Sequence, residues 1–227
     1  MAEVCFNHAP VGWRENVKLW AEVLDDILSL NGKPSIHQIN RFCERLRALD
    51  PSPSADLLLE EYLVLLRRTV ADRMQSASSN ADPFLIQGSK KVLTLLRDRG
   101  FKLIILSGTL ESDVKREAEL LGLKDFFGEH IYGAPITGSF SKLDVFLRIL
   151  RQESIEGRHL LAFGDGPVEM EFAKSIGALA IGIASDERDN RSRRIDPIKR
   201  KHLVAAGADA IIPDYIDAEE LLRQIFG

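Results

Sequence analysis

From residue 101 onward the chain repeats one pattern. A short apolar run breaks at Gly, Ser or Asp, and a helical stretch of about ten residues follows. The runs are "FKLIILSG" (101–108), "HIYGA" (130–134), 159–163 within "HLLAFG", 178–184, and "ADAIIP" (208–213). Helical spacing predicts helices at 111–121, 142–152, 168–176 and 196–206, and "SKKVLTLLRDRG" (89–100) precedes the first run. Continuous apolar runs, without polar alternation, mark strands covered on both faces. Strands alternating with helices predict an α/β fold with a mainly parallel sheet. In such a sheet ligands sit beyond the carboxyl ends of the strands, so the residues there are the candidates for function.

The first third has a different period. "WRENVKLWAEVLDDILSL" places Trp13, Val17, Trp20, Val23, Leu24, Ile27 and Leu28 on one helical face. Asn31-Gly32 is a stop signal, and Pro34-Ser35 opens a helix carrying Ile36, Ile39, Phe42 and Leu46. "PSPSAD" (51–56) is a hinge-like loop, and a longer helix runs through "LLLEEYLVLLRRTVADRM". The polar stretch "QSASSNADP" (75–83) is a boundary. The organisation expected is therefore residues 1–12 as a first-strand region, 13–80 as a helical unit, and 81–227 as the α/β unit.

With 227 residues and 45% hydrophobic content, the chain suits one α/β domain with an insert, or two small domains. The net charge of −4 argues against nucleic acid and anionic membranes as partners. Two cysteines, Cys5 and Cys43, make no disulfide or zinc framework, so a reduced, cytoplasmic setting is expected. No apolar run reaches the roughly 20 residues of a membrane span. The N-terminus lacks the basic start and apolar stretch of a signal peptide. The basic residues of 185–202 alternate with Asp186, Glu187, Asp189 and Asp196, as on a solvated loop and helix.

Three strand-to-helix junctions carry chemistry. Ser107-Gly108-Thr109 follows "KLIIL": its hydroxyl and amides suit a phosphate oxygen, or the hydroxyls simply cap the next helix. Asp165, followed by Gly166 and one turn later by Glu169, suits a hard cation such as Mg²⁺, or again a cap and a favourable first-turn charge. Lys142 stands at a helix start, where a cation opposes the helix dipole; it reads as functional or as solvent-facing. Together, in this order, the three supply an oxygen donor, a fixed positive charge and a carboxylate, the parts that stabilise charge in phosphoryl transfer.

In this combination the sequence resembles the haloacid dehalogenase-like hydrolase superfamily, with "LIILSGT" similar to its second motif, Lys142 to its third and "FGDGPVEME" to its fourth. The resemblance implies a Rossmann-like parallel-sheet core, with 13–80 as an inserted helical cap. It implies a Mg²⁺-dependent phosphohydrolase acting on a small phosphorylated metabolite, such as a sugar phosphate or a phosphoglycolate-like acid. Ser107, Gly108 and Thr109 would then bind phosphate, Lys142 would offset its charge, Asp165 would hold the metal, and Glu169 would support the metal shell or orient Lys142.

The same resemblance implies an Asp-x-Asp strand just before the cap, its first Asp the nucleophile and its second the general acid/base. "MAEVCFNHAPVG" contains no Asp. Three readings stand: a shortened phosphatase; a degenerate motif with Val4, Cys5 and Phe6 as the strand, which makes a non-catalytic phosphate-binding or regulatory domain; or an acid pair at Asp25-Asp26. The last fails because adjacent residues of a helix do not face one another. An empty central place would expose two strand edges.

Overall fold

The computed structural model describes residues 1–47, 54–137, 141–186, 188–189 and 191–227. The predicted loop at 51–56 and the lead-in to Lys142 at 138–140 lie partly or wholly outside these residues.

The N-terminal unit is helical: α1 (Ala2–Asn7), α2 (Val17–Ser29), α3 (Ser35–Arg47) and α4 (Ala55–Ser79). The side chain of Asn16 caps α2 by accepting the Leu19 amide, so the helix begins at Val17 and Trp13 lies before it. Ser54 caps α4 in the same way, accepting from Leu57 at 3.1 Å. Helix α4 runs through Gln75–Ser79, where the sequence suggested a loop. Ala77 is buried there, and the chain turns only at Asn80, ahead of Pro83.

These helices share one core. Ile39, Phe42, Cys43 and Leu46 of α3 meet Val23 and Ile27 of α2 and Leu58 of α4. Residues 2–7 join this cluster as a helix and not as the strand read for Val4–Phe6. Phe6 lies 4.2 Å from the Trp20 ring and 6.4 Å from the Phe42 ring. Burying Val4, Cys5 and Phe6 together needs a surface that accepts three successive side chains, and the aromatic cluster of the helical unit offers one.

The α/β unit follows in the expected order: α5 (Ser89–Asp98), β1 (Ile105–Leu110), α6 (Glu111–Leu120), α7 (Lys124–Phe127), β2 (Ile131–Ala134), α8 (Lys142–Glu153), β3 (Leu161–Gly164), α9 (Pro167–Ser175), β4 (Leu179–Ile183), α10 (Pro197–Ala205), β5 (Ala210–Ile212) and α11 (Ala218–Phe226). All ladders between these strands are parallel. They form two sheets, β1-β2 and β3-β4-β5. Among the described residues no ladder joins β1 to β3.

The two sheets nevertheless share a common support. Leu103, just ahead of β1, and Leu161 and Phe163 of β3 pack on one cluster with Val92, Leu96 and Leu222. Burial follows the pairing. β4, paired on both sides, is buried over its last four residues, whereas β3 is only half-buried throughout. The helical unit docks through α2 on α10: both Asp25 oxygens accept from Lys201 Nζ at 2.8 Å, and Oδ1 lies 2.9 Å from His202 Nε2. Asp26 is held separately, by Arg45 and Arg41 of α3. The acid pair is thus consumed by two unrelated ion-pair networks.

Candidate functional site

Ser107, Gly108 and Thr109 lie inside β1, where its pairing with β2 slips between Leu106 and Leu110. Ser107 Oγ accepts the Thr109 amide at 3.2 Å. The N-cap position of α6 falls on Leu110, with no side-chain cap, so neither hydroxyl serves as the cap that local rules allow.

Lys142 is the first residue of α8, and Ser141 Oγ caps that helix by accepting from Asp144 at 3.2 Å. The lysine reaches inward, its side chain 12% exposed. A Cβ built on Gly108 would lie 3.8 Å from Lys142 Cε, so the stem of the lysine passes over the end of β1. Its Nζ donates to Glu169 Oε1. One side chain therefore bridges the carboxyl ends of β1 and β3.

The β3 end is shaped by glycines. A Cβ on Gly164 would stand 2.8 Å from Glu169 Cβ, and one on Gly166 would stand 2.5 Å from Glu169 Oε2. The carboxylate folds back over this turn, which only a missing side chain permits. The cap closes it from above. Gly32, at φ +89°, has Glu169 oxygens 3.0 and 3.1 Å from where its Cβ would be. Glu169 Oε2 is buried there with no donor. A buried carboxylate oxygen without a partner is costly, and it marks a position that a donor or cation would stabilise.

Asp165 faces elsewhere. Its side chain is 62% exposed, and its Oδ2 lies 4.0 Å from Nζ of Lys199, which is itself buried. Burial pushes the Tyr215 phenol well above its ordinary value, and the nearby Asp165 charge adds to the shift. Lys199 was read from the sequence as part of a solvated basic segment. A signal was present: it is the third residue of α10, after the Asp196 cap and Pro197, so it opposes the helix dipole as Lys142 does.

The structure thus brings Gly108, Lys142 and Glu169 into one group and sets Asp165 beside Lys199. Among the described residues there is no cluster of three or more His, Cys, Asp or Glu able to hold a metal. Asp165 and Glu169 are two carboxylates, one of them committed to a lysine. They do not by themselves make the oxygen shell that Mg²⁺ demands.

Parallel strands with helical crossovers, a helical unit packed against the strand ends, and a lysine that reaches from β1 to the turn after β3 define the α/β architecture of this chain. Residues 56–177, more than half of the chain, match the haloacid dehalogenase-like hydrolase family, and the chain belongs to it. No curated protein matches the chain. Solved structures share the fold at low identity. A conserved haloacid dehalogenase-like protein from Agrobacterium tumefaciens is 19% identical, with a TM-score of 0.63 over 91% of this chain and 93% of that one. A predicted phosphoglycolate phosphatase from Haemophilus somnus is 14% identical, with a TM-score of 0.57 over 87% and 81%. A HAD family hydrolase from Deinococcus radiodurans, with bound phosphate and sodium, is 15% identical, with a TM-score of 0.57 over 98% and 87%. Among the described residues no helix is long and apolar enough to cross a membrane.

Proposed function

We propose that this chain carries the phosphate-recognition half of a phosphomonoester hydrolase and, as it stands, binds a small phosphorylated metabolite without turning it over. The observation that carries the reading is Lys142, which crosses from Gly108 to Glu169 and so places one half-buried cation between two strand ends. A phosphate seated there would take hydrogen bonds from Ser107 Oγ and from the Gly108 and Thr109 amides, and its charge would be offset by Lys142. The phosphate bound to the Deinococcus relative and the phosphoglycolate phosphatase among the neighbours favour a phosphorylated sugar or a phosphoglycolate-like acid. The cap turn at Asn31-Gly32, pressed on Glu169, would select among them. Asp165 and Glu169 would be the metal side. With no further carboxylate beside them, Mg²⁺ would bind weakly.

Turnover in this family needs an attacking carboxylate. No Asp precedes Asp25 in the chain, and Asp25, on α2, is held by Lys201 and His202 of α10. The test has two arms. Phosphate binding, followed by ³¹P line broadening, should be present in the unmodified chain and lost in Lys142→Met. Hydrolysis of an aryl phosphate should be at background. It should appear when "MAEVCFNHAP" is replaced by an apolar strand ending in Asp-x-Asp-Gly-Thr and linked into Gly12-Trp13, then vanish again with Asp165→Ala. Hydrolysis by the unmodified chain that Asp165→Ala abolishes would place the nucleophile elsewhere and overturn the reading.

A further inference from the structure

The helix α4 presents a turn that, among the described residues, nothing covers. Leu58 anchors the helix to the cap core, fully buried, with Leu59 and Tyr62 packed against the same cluster. One turn further on, Val64, Leu65, Leu66, Arg67 and Arg68 are all exposed. Val64 is 59% exposed, and Leu57, one heptad earlier, is 45% exposed. Leu57 and Val64 lie on the same side of the helix, and their exposure makes an unpartnered apolar surface, because a free helical face is ordinarily polar.

The charges around this turn identify its occupant. Glu60 and Glu61 stand four and three residues before Val64, and Arg67 and Arg68 stand three and four after it. At 100° per residue, Leu57, Glu60, Val64, Arg68 and Ala71 fall in one stripe within about 40° of Val64. Read backwards through Val64, the stripe repeats itself with the charges inverted. Glu61 lies 2.7 Å from His8, whereas among the described residues Glu60, Arg67 and Arg68 form no ion pair. A parallel neighbour of the same sequence would set like charges side by side. An antiparallel one sets Glu60 level with the partner's Arg68, and Glu61 level with the partner's Arg67.

We propose that α4 is the interface of a homodimer: two copies pair antiparallel about a two-fold axis at Val64, with Val64 at the centre, Leu57 and Ala71 flanking it, and both charge pairs repeated by symmetry. Such an isologous seam closes on itself. A single helix seam buries less than the roughly 800 Å² per partner of a standard interface, so the dimer is reversible and concentration-dependent.

Sedimentation velocity of the full chain across a wide concentration range tests this, with circular dichroism confirming that each variant is folded. The unmodified chain should move from monomer to dimer as concentration rises. Val64→Glu, at an exposed position, should remain monomeric. Glu60→Arg should weaken the dimer by about tenfold, because like charges then face across the seam, and Glu60→Arg combined with Arg68→Glu should restore it. Val64→Cys should form an intermolecular disulfide on oxidation. A chain monomeric at every concentration, a dimer unaffected by Val64→Glu, or a double charge reversal that fails to restore association would each overturn the proposal.

Discussion

Gly88 shows how one missing side chain ties two parts of the core. It precedes α5 at φ +79°, a region where a Cβ is strained. A Cβ there would stand 2.5 Å from the Tyr215 carbonyl carbon and 2.6 Å from its oxygen. Next to it, Gln87 O accepts the Tyr215 amide at 2.8 Å, which holds the segment ahead of α11 against the start of α5. Backbone cannot retreat from such an overlap as a flexible side chain can. Gly88→Ala should therefore destabilise the chain by about 2–3 kcal/mol, read as a lowered urea midpoint with an unchanged slope. At Gly166 the clash is with the tip of Glu169, so the same substitution there would disturb the site before the fold.

Among the elements, the strands divide by how many neighbours they have. Among the described residues β4 is bonded to β3 and β5, whereas β1 is bonded only to β2, and β3 only to β4. A strand edge without a ladder leaves alternate amides to solvent. Native-state hydrogen exchange should show the slowest amides in β4. In β1 and β3, the amides that do not face their single partner should exchange much faster, by opening that costs less than global unfolding. Uniformly slow exchange across Leu161–Gly164 would show that the inner edge of β3 is covered. The helix α11, absent from the sequence reading, belongs to this scale too. "AEELLRQIF" has acidic residues in its first turn and Leu222 fully buried. Its amphipathic period was readable, and the strand–helix rhythm itself places a helix after the last strand.

At the scale of the molecule, the cap and the α/β unit are joined by a polar latch and by the turn at Gly32. Hydrogen bonding from Lys201, opposed by desolvation and supported by His202, holds the Asp25 carboxyl below its ordinary value of 3.8. A carboxyl with a depressed folded-state pKa contributes stability above the unfolded value and loses it as pH falls through the folded one. Asp25 is 35% exposed, so solvent screens the pair and its contribution is small. Asp25→Asn should lower the melting temperature modestly at neutral pH. That difference from the unmodified chain should shrink as pH drops below about 4, in thermal scans at constant ionic strength. A difference that persists unchanged at the acid end would mean the latch does not act through the charge of Asp25.

Local pattern alone determined the α/β class and the order of most strands and helices, because apolar period and glycine breaks are properties of neighbours in the chain. It also showed that residues 1–12 contain no Asp. Three matters were decided only in three dimensions. Residues 2–7 became a helix because the cap core offered Val4, Cys5 and Phe6 a surface on which all three are buried. Ser107 and Thr109 entered a strand and left the cap of α6 to Leu110, because pairing with β2 outweighed the local cap. Lys199 came to lie beside Asp165, 34 residues away in the chain, because α10 packs on α9 and β4. Burial and cross-chain proximity are sums over distant residues, and no window of the sequence contains them.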